Sequence, residues 1–280
     1  MKALSGKTQW TGVMGWPVSH SLSPVIHNRW FAEEKRDAVY IPLPVRPDAI
    51  TTVMPALAQM GCVGVNLTIP HKELVIPLLD HVDETARRIG AVNTVVIRDG
   101  KLHGHNTDAY GFMKSLETDA PKLKREVALV VGAGGGARAV VAALSDAGFK
   151  EILLMNRTPE KAKILESLSD QVRVIPWSDN PVEMKKVTLV VNTTSLGMIA
   201  QPPLNLNLEK LPKDAVVTDL VYSPLITPLL QAAQDRGLHV VDGLGMLLYQ
   251  AQRAFSYWFG STPKVDKDLR RAVLIAMDSR

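Results

Sequence analysis

Val127-Ala128-Leu129-Val130-Val131-Gly132-Ala133-Gly134-Gly135-Gly136-Ala137-Arg138 passes from a short apolar run straight into a glycine-rich turn. Val127–Val131 has the length and β-branched content of a buried strand. Beyond the glycines, an alanine- and valine-rich helix is predicted to Ala147, closed by Gly148. Strand, glycine loop and helix in immediate succession open a βαβ unit of the kind that binds a dinucleotide. There Gly132 permits the tight turn, and Gly134 lets backbone approach a pyrophosphate. Ala137, in the third motif position, lets helix and strand pack closely. Backbone amides at the helix start face the phosphates, with the helix dipole adding favourable charge. Gly132, Ala133, Gly134, Gly135, Gly136 and Ala137 are therefore the candidate pyrophosphate cradle.

About twenty residues on, the second strand of such a unit ends where the adenosine ribose lies, and an acid there selects NAD. Here the strand ends Met155-Asn156-Arg157-Thr158, with Lys161 one turn later. A carboxylate would repel a ribose 2′-phosphate, whereas the Arg157 guanidinium can grip it with two parallel hydrogen bonds. Thr158 and Lys161 add a hydroxyl and a second cation, so the expected cofactor is NADP. The plainer reading makes Asn156-Arg157-Thr158 a helix cap beside a surface cation.

Outward from this unit, strand-like and helix-like segments alternate, the pattern of an α/β protein with a parallel sheet. Upstream, strands are predicted at Thr11–Met14, Val39–Pro42, Val63–Leu67 and Val92–Ile97. Ser23-Pro24 reads as an N-cap and N1 proline opening a helix through Ala32, and Asp48–Met60 as a second helix ending at Gly61. Downstream, strands are predicted at Ile152–Met155, Val172–Ile175, Leu189–Asn192, Val216–Asp219 and His239–Val241. Helices follow at Leu244–Trp258 and Asp266–Met277. The 280 residues exceed a comfortable single core, so two domains are expected, 1–108 and 109–241, the helices of 242–280 being assignable to either on pattern alone.

Composition excludes other classes. With 46% hydrophobic and 21% charged residues the chain reads as globular. The net charge of +4 is dispersed without an aromatic-laced basic stripe, which argues against nucleic acid while favouring anionic small molecules. The lone Cys62 sits in an apolar run, so a buried small residue is expected rather than a nucleophile or a disulfide. No stretch approaches a membrane span, and the first residues lack a signal-peptide apolar run, so a reducing, cytoplasmic setting is expected. His20, His71, His103 and His105 lack metal-like spacing, and no metal is expected.

Polar residues gather at the predicted strand ends of the first domain: Ser21, Ser23, Thr68, Lys72, Asn93 and, at the junction, Asn106-Thr107-Asp108. In open α/β sheets ligands collect there. Singly each has a plain explanation: Ser23 and Asp108 as helix caps, Asn93 as a turn residue, Lys72 as a solvated cation.

Together they resemble the shikimate dehydrogenase family. Ser19-His20-Ser21-Leu22-Ser23-Pro24, Asn66-Leu67-Thr68-Ile69-Pro70-His71-Lys72, Gly90-Ala91-Val92-Asn93-Thr94 and Asn106-Thr107-Asp108 stand in that family's order and spacing. The likeness continues through Gly132–Arg138, Asn156-Arg157-Thr158, Asn192–Met198, Asp219–Pro224 and Asp242–Gln250, and so spans essentially the whole chain. It implies a substrate-binding α/β domain and a Rossmann NADP domain facing across a cleft, with 242–280 returning to the former. It also implies that Ser21 and Ser23, with Tyr222, hold a substrate carboxylate, and that Thr68, Lys72, Asn93, Asp108 and Gln250 meet ring hydroxyls. Gly243 and the loop near Met198 would lie by the nicotinamide, Thr193 and Leu220 would also contact the cofactor, and Glu84 matches a position sometimes credited with cofactor contact. The chain departs from the pattern at Ala109, where glycine is usual, and has His105 at a variable position.

The implied reaction is the reversible NADPH-dependent reduction of 3-dehydroshikimate to shikimate. Hydride addition to a ketone develops negative charge on oxygen, so a nearby proton donor lowers the barrier. Lys72 would supply the proton and Asp108 would orient it. Two rivals stand beside this reading. A quinate/shikimate dehydrogenase of relaxed specificity usually carries an acid where Asn156-Arg157 stands. A non-catalytic NADP-binding regulator of the same fold would need neither Lys72 nor Asp108. Monomer and homodimer remain equally open.

Overall fold

The computed structural model describes residues 4–279. The chain forms two compact units, one from residues up to Thr107 together with those from Gln250 onward, the other from Asp108 to Tyr249.

The first unit runs β1 (Gln9–Gly15), α1 (Ser23–Glu33), β2 (Ala38–Pro44), α2 (Ile50–Gln59), β3 (Gly64–Leu67), α3 (His71–Leu74), β4 (His81–Val82), α4 (Glu84–Ile89), β5 (Thr94–Arg98) and β6 (Lys101–His105). Its sheet has the order β2-β1-β3-β5-β6-β4. β1 pairs in parallel with β2 and β3, whereas β5 runs antiparallel to both β3 and β6. Apolar residues of α2, β3 and β5, among them Met54, Leu57, Val65 and Val95, close one face.

The second unit contains α5 (Asp108–Asp119), β7 (Val127–Val131), α6 (Gly135–Asp146), β8 (Glu151–Met155), α7 (Pro159–Glu166), β9 (Val172–Ile175), β10 (Leu189–Asn192), β11 (Val216–Asp219), α8 (Pro228–Asp235) and β12 (His239–Val241). Its sheet is parallel throughout, in the order β12-β11-β10-β7-β8-β9. That is the strand order of a dinucleotide-binding sheet, with the chain reversing direction at β7. Separate apolar clusters cover its two faces, one built on α5 and α6, the other on α8 and the segment Leu204–Leu211. The inner strands β7, β8, β10 and β11 are largely buried on both faces and read as mainly apolar runs, whereas the edge strands β9 and β12 expose Arg173 and His239.

α9 (Gly243–Phe259) begins in the second unit and ends in the first, where α10 (Lys267–Asp278) follows. Trp258 anchors α9 by donating its indole N–H to the Val95 carbonyl at 2.9 Å. Trp30 of α1 likewise donates to the Lys264 carbonyl at 3.0 Å.

Several sequence expectations change. Ser23 is the first residue of α1, not its cap; the cap position falls on Leu22, which makes no side-chain cap bond, and the Ser21 hydroxyl accepts the Ser23 N–H instead. Asp108 is likewise the first residue of α5. The strand predicted from Val92 begins at Thr94, because the amides of Val92 and Asn93 are taken by the carbonyls of Lys72 and His105. Asp48–Met60 divides into a short turn of 3₁₀ helix at Pro47–Ala49 and α2. α3, β4 and α4 are too short to show periodicity, although Asp83 caps α4 through the Ala86 N–H and Gly90 closes it at φ 72°.

His27 lies fully buried in the first unit, stacked on Tyr40 at 4.2 Å and edge-on to Trp30. Neither ring nitrogen has a hydrogen-bond partner among the described residues. Burial disfavours the charged ring, lowering its pKa from 6.5 to about 3. Because the folded value lies below the unfolded one, acid favours the unfolded chain. The stability held above the unfolded pKa drains away by about 1.4 kcal/mol per pH unit as pH falls below it, until the folded pKa is reached. His27→Phe is therefore expected to flatten the loss of stability between about pH 6 and pH 4, measured by urea unfolding. It should also gain about 1 kcal/mol at neutral pH, since no orphaned nitrogen remains. An unchanged pH slope would contradict this account.

Candidate active site

At the end of β7, glycine is required at Gly132 for two reasons. Its φ is +113°, and an added Cβ would meet Thr193 Oγ1 at 2.5 Å and Thr194 Cγ2 at 3.0 Å. Thr193, just beyond β10, donates its N–H and its hydroxyl to the Val131 carbonyl at 2.9 and 2.7 Å. The crossover from β7 and the turn after β10 are thus pinned together at the reversal point of the sheet.

Gly134 and Gly135 have a different character. A Cβ at either would meet no atom within 4 Å, so protein packing does not call for glycine there. Such a Cβ would instead project over the start of α6, where the amides of Gly135, Gly136 and Ala137 have no intrahelical acceptor. This cradle fits a pyrophosphate. Ala137 is fully buried against the sheet, as close helix–strand packing needs, and a Cβ on Gly136 would come within 3.2 Å of Leu220.

At the end of β8, the Asn156 amide donates to the Thr158 carbonyl at 2.8 Å and folds the turn. Thr158 occupies the cap position of α7, but its side chain makes no cap bond. Arg157 and Lys161 are exposed, and neither forms an ion pair among the described residues. A simple capping role therefore leaves the Thr158 hydroxyl and both cations unexplained, whereas a 2′-phosphate would use all three.

Beyond β10 and β11, Met198 is 43% exposed and Tyr222 is half-buried. A Cβ on Gly243 would strike the carbonyl oxygens of Leu220 and Val221 at 2.5 and 2.8 Å, so α9 can start only with glycine against that strand end.

In the first unit, Ser21, Ser23, Thr68, Lys72, Asn93 and Gln250 share one fold. Thr68 follows β3 and bonds back to the Met14 carbonyl of β1 at 2.9 Å, and Lys72 lies on α3. Behind them runs a buried polar network. The Tyr40 hydroxyl donates to Asn66 Oδ1 at 2.7 Å. The Asn66 amide donates to the Asn93 carbonyl and the Thr94 hydroxyl at 3.2 and 3.0 Å. Asn93 Oδ1 accepts the Thr107 N–H at 2.7 Å, and the Thr107 hydroxyl lies 3.5 Å from Gln250 Oε1. Asn93 thus fixes the backbone one residue before Asp108. The network runs through Tyr40, Asn66, Thr94 and Thr107, which the sequence did not single out as site residues. A tyrosine in the apolar run Val39–Pro42 was the available signal, since a buried hydroxyl must find a partner.

Asp108, Tyr222 and the glycine-loop residues belong to the second unit. Glu84 belongs to the first, exposed as the opening residue of α4, where the helix dipole favours an acid. His105 is paired with Asp83 at 2.7 Å and stacked on Tyr257 at 4.4 Å. Among the described residues no cluster of His, Cys, Asp or Glu could hold a metal ion, and no helix is long and apolar enough to cross a membrane. Cys62 is buried, and burial pushes its thiol up to about 12, beyond the range of a nucleophile at neutral pH.

Three family models match in succession. They are the shikimate dehydrogenase substrate binding domain over residues 13–95, shikimate / quinate 5-dehydrogenase over 114–244, and the shikimate 5′-dehydrogenase C-terminal domain over 243–273. A protein of Paramagnetospirillum magneticum named shikimate dehydrogenase (NADP(+)) is 51% identical over 275 residues, 97% of this chain and 100% of that one. The chain belongs to the shikimate dehydrogenase family. Among solved structures it is similar to the shikimate 5-dehydrogenase of Thermus thermophilus in complex with NADP(H) and shikimate, at 36% identity and a TM-score of 0.86, covering 96% of this chain and 100% of that one. It is also similar to quinate dehydrogenase of Corynebacterium glutamicum in complex with NAD, at 32% identity and a TM-score of 0.89, covering 96% and 99%. Structures solved with NADP(H) and with NAD thus share this fold.

Proposed function

We propose that this chain is an NADP-dependent shikimate dehydrogenase, reducing 3-dehydroshikimate to shikimate reversibly in the shikimate pathway. The observation that carries the reading is the end of β8, where Arg157, Thr158 and Lys161 stand beside the glycine loop with no acid in the position that reads the ribose. The name and full-length identity of the Paramagnetospirillum relative support it.

Bound NADPH supplies the hydride. The first-turn amides of α6 hold the pyrophosphate, and Arg157, Thr158 and Lys161 hold the 2′-phosphate. Ser21 and Ser23, with Tyr222, take the substrate carboxylate. Thr68, Asn93 and Gln250 orient the ring hydroxyls. Lys72 gives its Nζ proton to the oxygen of the reduced carbonyl and recovers it in the reverse direction, while Asp108 orients the ammonium group and shares a substrate hydroxyl. Thr193, Met198, Leu220 and Gly243 would border the nicotinamide, and Glu84 is a further candidate contact of the cofactor. Shikimate-dependent reduction of NADP, followed by absorbance, tests the assignment; a chain that binds NADP without this signal would be a silent regulator.

The serine pair carries its own prediction. Ser21→Ala or Ser23→Ala should raise the KM for shikimate more than it lowers kcat, each lost bond costing about 1–2 kcal/mol. For Ser23 a further stability loss is expected, since the residue is buried. Lower thermal stability with unchanged KM would reduce both serines to structural roles.

A further inference from the structure

Asp219 ends β11 with its carboxylate wholly buried and no Lys or Arg paired with it among the described residues. Three donors converge on it. Asn192 Nδ2 reaches both oxygens at 3.0 Å, the Val221 N–H donates at 2.9 Å, and the Thr227 hydroxyl at 2.7 Å. Burial nevertheless raises its pKa above the ordinary carboxylate value. A buried anion held only by neutral donors is an expensive way to close a loop, so what those donors fix is informative.

Asn192, the buried last residue of β10, has one possible amide orientation. Its Oδ1 accepts the Thr194 N–H and hydroxyl at 3.0 and 2.7 Å, so Nδ2 must face Asp219 and the Leu196 carbonyl, the latter at 3.0 Å. The turn that carries Thr193 and Met198 is therefore shaped by an amide whose direction the carboxylate sets. On the other side, Thr227 caps α8, and the Leu220 N–H bonds the Asn192 carbonyl at 2.9 Å. Leu220 in turn backs both Gly136 and Gly243.

We propose that Asp219 is a positioning residue for hydride transfer. Through Asn192 and Thr227 it fixes the two segments, one bearing Thr193 and Met198 and the other Leu220 and Tyr222, that border the nicotinamide end of the cofactor. This deepens the functional reading above and rests on it. The 2′-phosphate end, at the end of β8, lies outside the clamp.

Asp219→Asn in the full chain separates the two ends. The Val221 N–H cannot turn, so the new amide keeps its oxygen there and directs its NH₂ at Thr227, whose hydroxyl can rotate to accept. The fold is expected to survive with a loosened turn. The kcat for 3-dehydroshikimate reduction should fall by about tenfold or more, one transition-state increment of that size. The primary deuterium isotope effect on kcat, read with NADPH deuterated at the transferred position, should rise as the hydride step becomes limiting. Affinity for adenosine 2′,5′-bisphosphate, which occupies only the adenosine end, should stay within about twofold. Thr227→Val removes one donor and should lower kcat by a smaller factor, which keeps the idea testable if Asp219→Asn does not fold. Unchanged kcat and isotope effect in either single variant would overturn the proposal. So would loss of bisphosphate affinity in step with kcat, the mark of a general loosening of the unit. A parent chain without turnover would instead sink the functional reading itself, and the proposal with it.

Discussion

Lys72→Ala is expected to lower kcat by ~10²-fold or more, the usual scale for a general acid–base group, with NADP affinity almost unchanged. The two effects separate because Lys72 lies on α3 in the first unit, whereas the glycine loop and the end of β8 belong to the second. As the hydride arrives, the substrate oxygen gains charge, and without the ammonium that charge must be met by water or left unmet. Asp108→Asn should also be damaging, since it keeps the shape of the carboxylate but removes the charge that orients the lysine. Steady-state kinetics beside a binding titration checks both claims; near-normal turnover in Lys72→Ala would remove the lysine from the mechanism.

Arg157→Ala should weaken NADP by roughly ten- to a hundredfold and leave NAD almost untouched. A ribose 2′-phosphate carries up to two charges, and charge-assisted bonds from a guanidinium are worth about 1.5–3 kcal/mol each at best. Arg157 is exposed, so solvent screening holds the effect to the lower part of that range. Screening also supplies a second readout. Added salt should weaken NADP binding more in the parent than in the variant, because the pair it acts on has been removed. Lys161 remains one turn away and should retain a residual preference for NADP. Equal losses for both cofactors, or no loss for either, would make Arg157 an ordinary surface cation.

The second unit was the more legible half. Its inner strands are largely buried on both faces and read as mainly apolar runs, and β7 to β12 fall where the runs Val127–Val131 to His239–Val241 placed them, β8 starting one residue earlier at Glu151. Gly132 was legible as a turn, but not its second constraint: the contact with Thr193 joins residues far apart in sequence. In the first unit the short α3, β4 and α4 were lost, because periodicity cannot report on elements of two to six residues. Ser23 shows a subtler failure. Serine before proline is a good capping signal, yet Ser23 is buried as the first residue of α1, a tertiary placement that local propensity could not anticipate. Asp219 was legible only as the end of the strand Val216–Asp219 and as part of a family run. A carboxylate at the end of a buried strand was the signal, and its partners Asn192 and Thr227 become visible only in the fold.

The central claim, that this chain is a shikimate dehydrogenase working with NADP, is tested most directly by kcat/KM for shikimate and quinate, each with NADP and with NAD. Shikimate with NADP should exceed every other pairing by about tenfold or more, as expected when one cofactor phosphate is bound by a guanidinium and no acid reads the ribose. Quinate with NAD matching or exceeding it, or no turnover in any pairing, would contradict the account.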